Sequence, residues 1–196
     1  MSPEYIGRSL NILLTPGRIN PIDVNEAILT DKGAIDEENP LDRSMYRVGS
    51  LGSNVLFSND SEDEIEVKPT SIKIESKNFE RIKLLSSSIK QIYPSVKPNE
   101  YLYRDDIHIT HESLPSAVFD KYVHLSGVQL DAIRFKKGQL GIVMYSCGYD
   151  RIHIQTTSKI LNRKRFDEFD IDTMMDIEEL RKLTAQFFSE ELELSI

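Results

Sequence analysis

"VQLDAIRFKKGQLGIVMYSCGYDRIHIQTT", residues 128–157, decides the fold. Three segments inside it, "VQLDAIRF" (128–135), "QLGIVMYS" (139–146) and "RIHIQTT" (151–157), have the length and the β-branched and aromatic content of strands. Lys136 to Gly138 supplies a tight turn between the first two, and "CGYD" (147–150) another between the second and third. Three strands in succession joined by such turns make an antiparallel meander, and the rest of the chain is read outward from it.

Upstream, "YVHLS" (122–126) and "IHIT" (107–110) are two further strands, separated by a short helix or loop excursion, "HESLPSAVFDK" (111–121). "PSVKPNEYLYRDD" (94–106) reads as a proline-containing connection. Before it the periodicity changes. In "KNFERIKLLSSSIKQIY" (77–93) the residues Phe79, Ile82, Leu85, Ile89 and Ile92 recur every three or four positions, the spacing of an amphipathic helix, which Pro94 closes. "IEVKP" (65–69) and "SIKIES" (71–76) alternate apolar with charged residues, as strands buried on one face do.

Residues 44–49 and 54–58 flank the Gly- and Ser-rich "SLGS" (50–53) and form a hairpin. "LNILL" (10–14) is a first strand. "NPIDVNEAIL" (20–29) is a short helix with Asn20 as cap and Pro21 at its first position, followed by a polar loop over 30–43. Downstream of the meander, Met174, Ile177, Leu180, Leu183 and Phe187 form the stripe of a C-terminal helix that Thr173 caps. The fold class is therefore α+β: a mostly antiparallel sheet with an amphipathic helix in the middle and a C-terminal helix packed on one face. The expectation is a single domain over 1–196, with an N-terminal subregion 1–76 and the main sheet and helices in 77–196. Neither a repeat of fixed period nor a low-complexity tract stands out.

Composition narrows the function classes. With 196 residues, 39% of them hydrophobic and with eight Phe and eight Tyr, the chain is long enough and apolar enough to bury a core. Twenty-four Lys and Arg against 32 Asp and Glu give a net charge of −8, so the broad basic footprint of a DNA- or anionic-membrane-binding protein is absent. Ile12 to Leu14 is the sole apolar run near the start, too short for a signal peptide or a membrane span. A lone Cys147 excludes an internal disulfide and cysteine zinc motifs, and a cytoplasmic location fits a reduced thiol.

The four histidines all fall between 108 and 153. Alternation places His108 and Thr110 opposite Ile107 and Ile109, His124 and Ser126 opposite Val123 and Leu125, and His153 and Gln155 opposite Ile152 and Ile154. Three imidazoles thus occupy the polar faces of three strands, where they are either solvated rim residues or a cluster suited to proton transfer and phosphate contact. "HIT" (108–110) and "HLS" (124–126) resemble the His-apolar-Thr/Ser motif of the two-histidine phosphoesterases, which act on 2′,3′-cyclic phosphates at RNA ends. That resemblance implies His108 and His124 as general base and acid with Thr110 and Ser126 on the phosphate. His153 is a further candidate, although Gln155 stands where a hydroxyl residue belongs. A metal held by His108, His111 and His124 with Glu112 or Asp106 lacks any recognised ligand spacing, and no metal or cofactor is expected.

Two charged clusters complete the inventory. Arg163, Lys164 and Arg165 match planar anions such as phosphate or an acidic partner, or else neutralise the nearby acids. From Asp167 to Ile196 there are ten acids, among them Asp176, Glu178 and Glu179, and two bases, so an acidic helix that docks on a basic protein surface is an alternative to a merely wet helix face. Nucleophile elbows and phosphate loops are missing. The expectation is a non-catalytic soluble protein-binding protein, an accessory, immunity or inhibitor-type subunit acting through acidic surfaces on a partner protein with a basic surface. The alternative is a small phosphoesterase acting on RNA ends, the one nucleic-acid role compatible with the charge.

Overall fold

The computed structural model describes residues 4–16, 19, 47–51, 54–58, 63–110, 132–146, 151–161, 165–171 and 177–191. Nine strands, two α-helices and one short 3-10 helix (Phe166–Glu168) lie in them: β1 (Glu4–Leu13), β2 (Arg47–Leu51), β3 (Asn54–Ser58), β4 (Glu64–Lys68), β5 (Ser71–Ser76), α1 (Phe79–Ile92), β6 (Glu100–Thr110), β7 (Ala132–Lys137), β8 (Leu140–Ser146), β9 (Arg151–Ile160) and α2 (Ile177–Glu191). The architecture is α+β, and the pairs β1–β5, β2–β3, β3–β4, β4–β5, β7–β8 and β8–β9 all run antiparallel. Expected elements at 20–29, 111–121 and 122–126 fall outside the described residues, as do Thr173 and Met174.

The chain divides into two compact units, one of residues 1–7, 104–158 and 176–196, the other of residues 8–103 and 159–175. In the second unit the strands follow one another in the order β2-β3-β4-β5-β1-β6. Alternation sets its core: Leu10 pairs with Ile74 and Ile12 with Ile72, Ile65 and Val67 meet the same two isoleucines from β4, and all six are buried. Helix α1 lies against β5. Its stripe of Phe79, Ile82, Leu85 and Ile89 is buried, as the three- and four-residue spacing requires. Asn78 caps it by accepting the Glu80 N–H at 2.9 Å. Tyr101 stacks flat on Phe169 at 3.7 Å, and Phe79 meets Tyr103 edge-on at 5.5 Å.

In the first unit the order is β6-β9-β8-β7. The meander is as the sequence predicts, but its first turn is shifted: strand β7 runs through Lys137, and Gly138 with Gln139 makes the reversal. Gly138 has φ +60, a left-handed conformation that explains a glycine there. Ile107, Ile109, Ile142, Met144, Ile152 and Ile154 from β6, β8 and β9 form one cluster with Phe187 and Phe188 of α2. Ile177 and Leu180 of the expected α2 stripe are buried too.

The main difference from expectation is β6. Residues 100–106 are strand rather than connection, because Tyr101 and Tyr103 alternate with Leu102 and Arg104 and bury their rings on the core side. A repeated order also emerges. Among the described residues, a leading strand, a meander and a helix recur as β1, β2–β5, α1 and as β6, β7–β9, α2. In each half the last meander strand neighbours the leading strand, β5 beside β1 and β9 beside β6.

Candidate functional site

The polar face of the first unit's sheet is built by alternation on three strands. On β6, Ile107 and Ile109 enter the core, so Arg104, Asp106 and His108 stand on the other side. On β9, Ile152 and Ile154 do the same for His153 and Gln155. On β8 the register places Tyr145 opposite His153 and Val143 opposite Gln155. Because β6 and β9 are neighbours, the polar residues of the two strands meet.

Asp106 is the centre of what results. Its side chain is only 9% exposed, on a face where His153 and Arg104 are 24% and 34% exposed. His153 Nε2 lies 2.6 Å from Asp106 Oδ1, and Gln155 Nε2 donates to the same oxygen at 3.2 Å. Arg104 Nε sits 2.8 Å from Oδ2, a contact of charge and distance rather than an aligned hydrogen bond. A carboxylate only accepts, so Nε2 of His153 carries the proton it shares with Asp106 and Nδ1 is left as the second ring nitrogen. Edge-on contacts frame this imidazole, with His108 at 5.3 Å and Tyr145 at 5.9 Å between ring centroids.

Of the expected histidine set, the structure brings together His108 and His153. Thr110 closes β6, and His124 and Ser126 lie outside the described residues, as do His111 and Glu112 of the metal reading. Among the described residues no three His, Cys, Asp or Glu side chains are grouped to hold a metal ion. Sequence reading did not single out Arg104, Tyr145 or the role of Gln155. The signal for the first is the spacing of Arg104, Asp106 and His108 two apart, masked by taking 94–106 as a connection. Gln155, which departs from the two-histidine motif, is here a hydrogen-bond donor to Asp106.

The charged candidates are locally engaged. Glu178 pairs with Lys182 at 2.7 Å and Glu179 with Lys137 at 2.6 Å. The hydrogen bond from each lysine holds the partner carboxyl below its ordinary range, and Glu178 in turn raises Lys182. Arg165 grips Asp167 with Nε at 3.1 Å and a terminal nitrogen at 2.5 Å, a two-point contact. Arg163, Lys164 and Asp176 lie outside the described residues. Among the described residues no helix is long and apolar enough to cross a membrane.

No family model and no curated protein matches the chain. Among solved structures it aligns with "Methanococcus jannaschii TBP" at a TM-score of 0.36 and 8% identity, over 93% of this chain and 96% of that one, a likeness too slight to carry an argument about fold or function.

Proposed function

We propose that this is a non-catalytic protein-binding protein, an accessory, immunity or inhibitor-type subunit, and that its recognition surface is the polar face of the β6-β9-β8-β7 sheet. One observation carries the reading. The buried Asp106 is engaged by Arg104, His153 and Gln155 together, so the polar groups of neighbouring strands are spent on holding one another in place. The product is a pre-set polar surface with half-buried imidazole and phenol rings, the adaptable and aromatic contacts that protein interfaces use. The paired state of Glu178 and Glu179 moves the emphasis from the acidic helix to this face.

The test is to isolate a partner from the native host and measure backbone hydrogen exchange with and without it. Protection concentrated in residues 104–108, 143–145 and 151–157 is the expected result. Protection elsewhere with none on these strands overturns the reading.

The 5.3 Å approach of His108 and His153 favours a second reading, a phosphoesterase acting on RNA 2′,3′-cyclic phosphate ends. Turnover of a 2′,3′-cyclic nucleotide that disappears in both His108→Ala and His153→Ala supports the enzyme. Background turnover in all three proteins ends it.

A further inference from the structure

Among the described residues, the recognition face of the first unit carries more cations than carboxylates, the reverse of the chain as a whole. Arg134 and Lys136 of β7 are exposed. The register pairs Ile133 with Met144 and Phe135 with Ile142, all on the core side, so Arg134 opposite Val143 and Lys136 opposite Gly141 project to the other side, which they share with Tyr145 and His153. Residues 104–110, 132–137, 140–146 and 151–158 contain just two carboxylates, Asp105 and Asp106. Asp105 alternates to the core side and is buried; Asp106 is buried and already faces Arg104 and His153. Arg104 and Asp106 offset each other, so Arg134 and Lys136 supply the excess positive charge of this face among the described residues, in a chain of net charge −8.

We propose that this face docks an extended, carboxylate-rich segment of the partner protein. The inference rests on the binding reading above and names the partner's chemistry. Arg134 and Lys136 are two apart on one strand, roughly 7 Å, the distance between side chains on one face of an extended peptide. An arginine fork donates to a carboxylate at two points, and the half-buried Tyr145 of β8 and Thr157 of β9 stand on the same face. A nucleic-acid backbone is the poorer occupant. Its affinity grows with the number of neutralised phosphates, and two cations on a strongly acidic chain attract a short acidic segment while the rest of the surface repels a long polyanion.

The experiment measures fluorescence anisotropy of a labelled peptide of alternating Glu and Val on the full chain, beside a Lys-Val peptide and a short oligo-dT. The expected result is saturable binding of the Glu-Val peptide alone, weakened at least about tenfold by Arg134→Glu with Lys136→Glu and by raised salt. Lys182→Glu on α2 leaves it within about twofold, and since all three positions are exposed, circular dichroism of the variants is expected to match the parent. No binding of the Glu-Val peptide, binding indifferent to Arg134 and Lys136, or tighter binding of oligo-dT each overturns the proposal. Should the native partner still protect residues 104–108 and 151–157, the binding reading stands and only the acidic chemistry falls.

Discussion

His153 Nε2 sits 2.6 Å from Asp106 Oδ1 although 47 positions separate the two residues in sequence. The contact exists because β6 and β9 are neighbours and their polar alternants share a face. It binds two strands that enter the sheet from distant parts of the chain.

Removing the acceptor is therefore worse than removing a donor. Asp106→Ala strands the Arg104 guanidinium and the His153 and Gln155 donors together, and is expected to cost about 2–3 kcal/mol, less than a stranded fully buried charge because Arg104 and His153 are partly solvated. His153→Ala leaves Asp106 with Arg104 and Gln155, and is expected to cost about 1–2 kcal/mol. Urea denaturation of the two variants checks the order. A His153→Ala cost equal to or above that of Asp106→Ala would show that the carboxylate is not the hub.

Tyr101 makes a different kind of prediction. Its ring is fully buried on Phe169, yet its hydroxyl finds no hydrogen-bond partner among the described residues. Tyr101→Phe removes a desolvated hydroxyl and keeps the stack, so it is expected to stabilise by about 1 kcal/mol. Burial also pushes the phenol well above its ordinary value of 10.0. The unfolded chain thus loses this proton as pH rises past 10.0 while the folded chain keeps it, and the parent loses stability there. The advantage of Phe is expected to widen above pH 10 and stay constant below it, which thermal melts at pH 8, 9, 10 and 11 read directly.

The parts of this fold legible in the sequence are those in which one residue's fate is decided by its near neighbours. Ile65, Val67, Ile72 and Ile74 alternate and are buried; Phe79, Ile82, Leu85 and Ile89 recur at helical spacing and are buried. The first part of strand β6, residues 100–106, was hidden because Arg104, Asp105 and Asp106 look like a solvated loop. One of those aspartates is buried on the core side and the other against an arginine and a histidine from a distant strand, facts of register that no local window contains. The same reason applies to Gln155: its meaning comes from Asp106 across the sheet. The recurrence of strand, meander and helix is likewise a property of order, carried by residues too different to show a period.

The cap of α1 gives a local test. Asn78 Oδ1 accepts the Glu80 N–H at 2.9 Å, and its own N–H donates to Ser76 Oγ at 3.1 Å, so the residue ties the end of β5 to the helix start. Asn78→Ala is expected to cost about 1 kcal/mol, while Asn78→Asp, which retains the acceptor at the positive end of the helix, costs a few tenths at most. Equal losses for both variants in urea melts would mean that the side-chain oxygen contributes nothing.

Gly141 and Thr157 face each other across β8 and β9. A Cβ built on Gly141 would lie 2.9 Å from Thr157 Oγ1, closer than the two atoms tolerate, while the backbone there is ordinary strand and takes any residue without strain. Gly141→Ala thus sets a crowding cost of about 1–3 kcal/mol against a gain of about 0.4–1 kcal/mol from a less flexible unfolded chain, and the net is destabilising. Thr157→Ala removes the obstructing hydroxyl and forfeits only a 3.4 Å contact with the Gly141 carbonyl, so alone it is expected to change little. With both changes the crowding disappears and the gain from the stiffer unfolded chain remains. The double variant is therefore expected to be more stable than Gly141→Ala by about 1 kcal/mol or more, a non-additivity that a four-member urea cycle measures. Additive effects would place the cost of Gly141→Ala in the backbone rather than in this one side-chain contact.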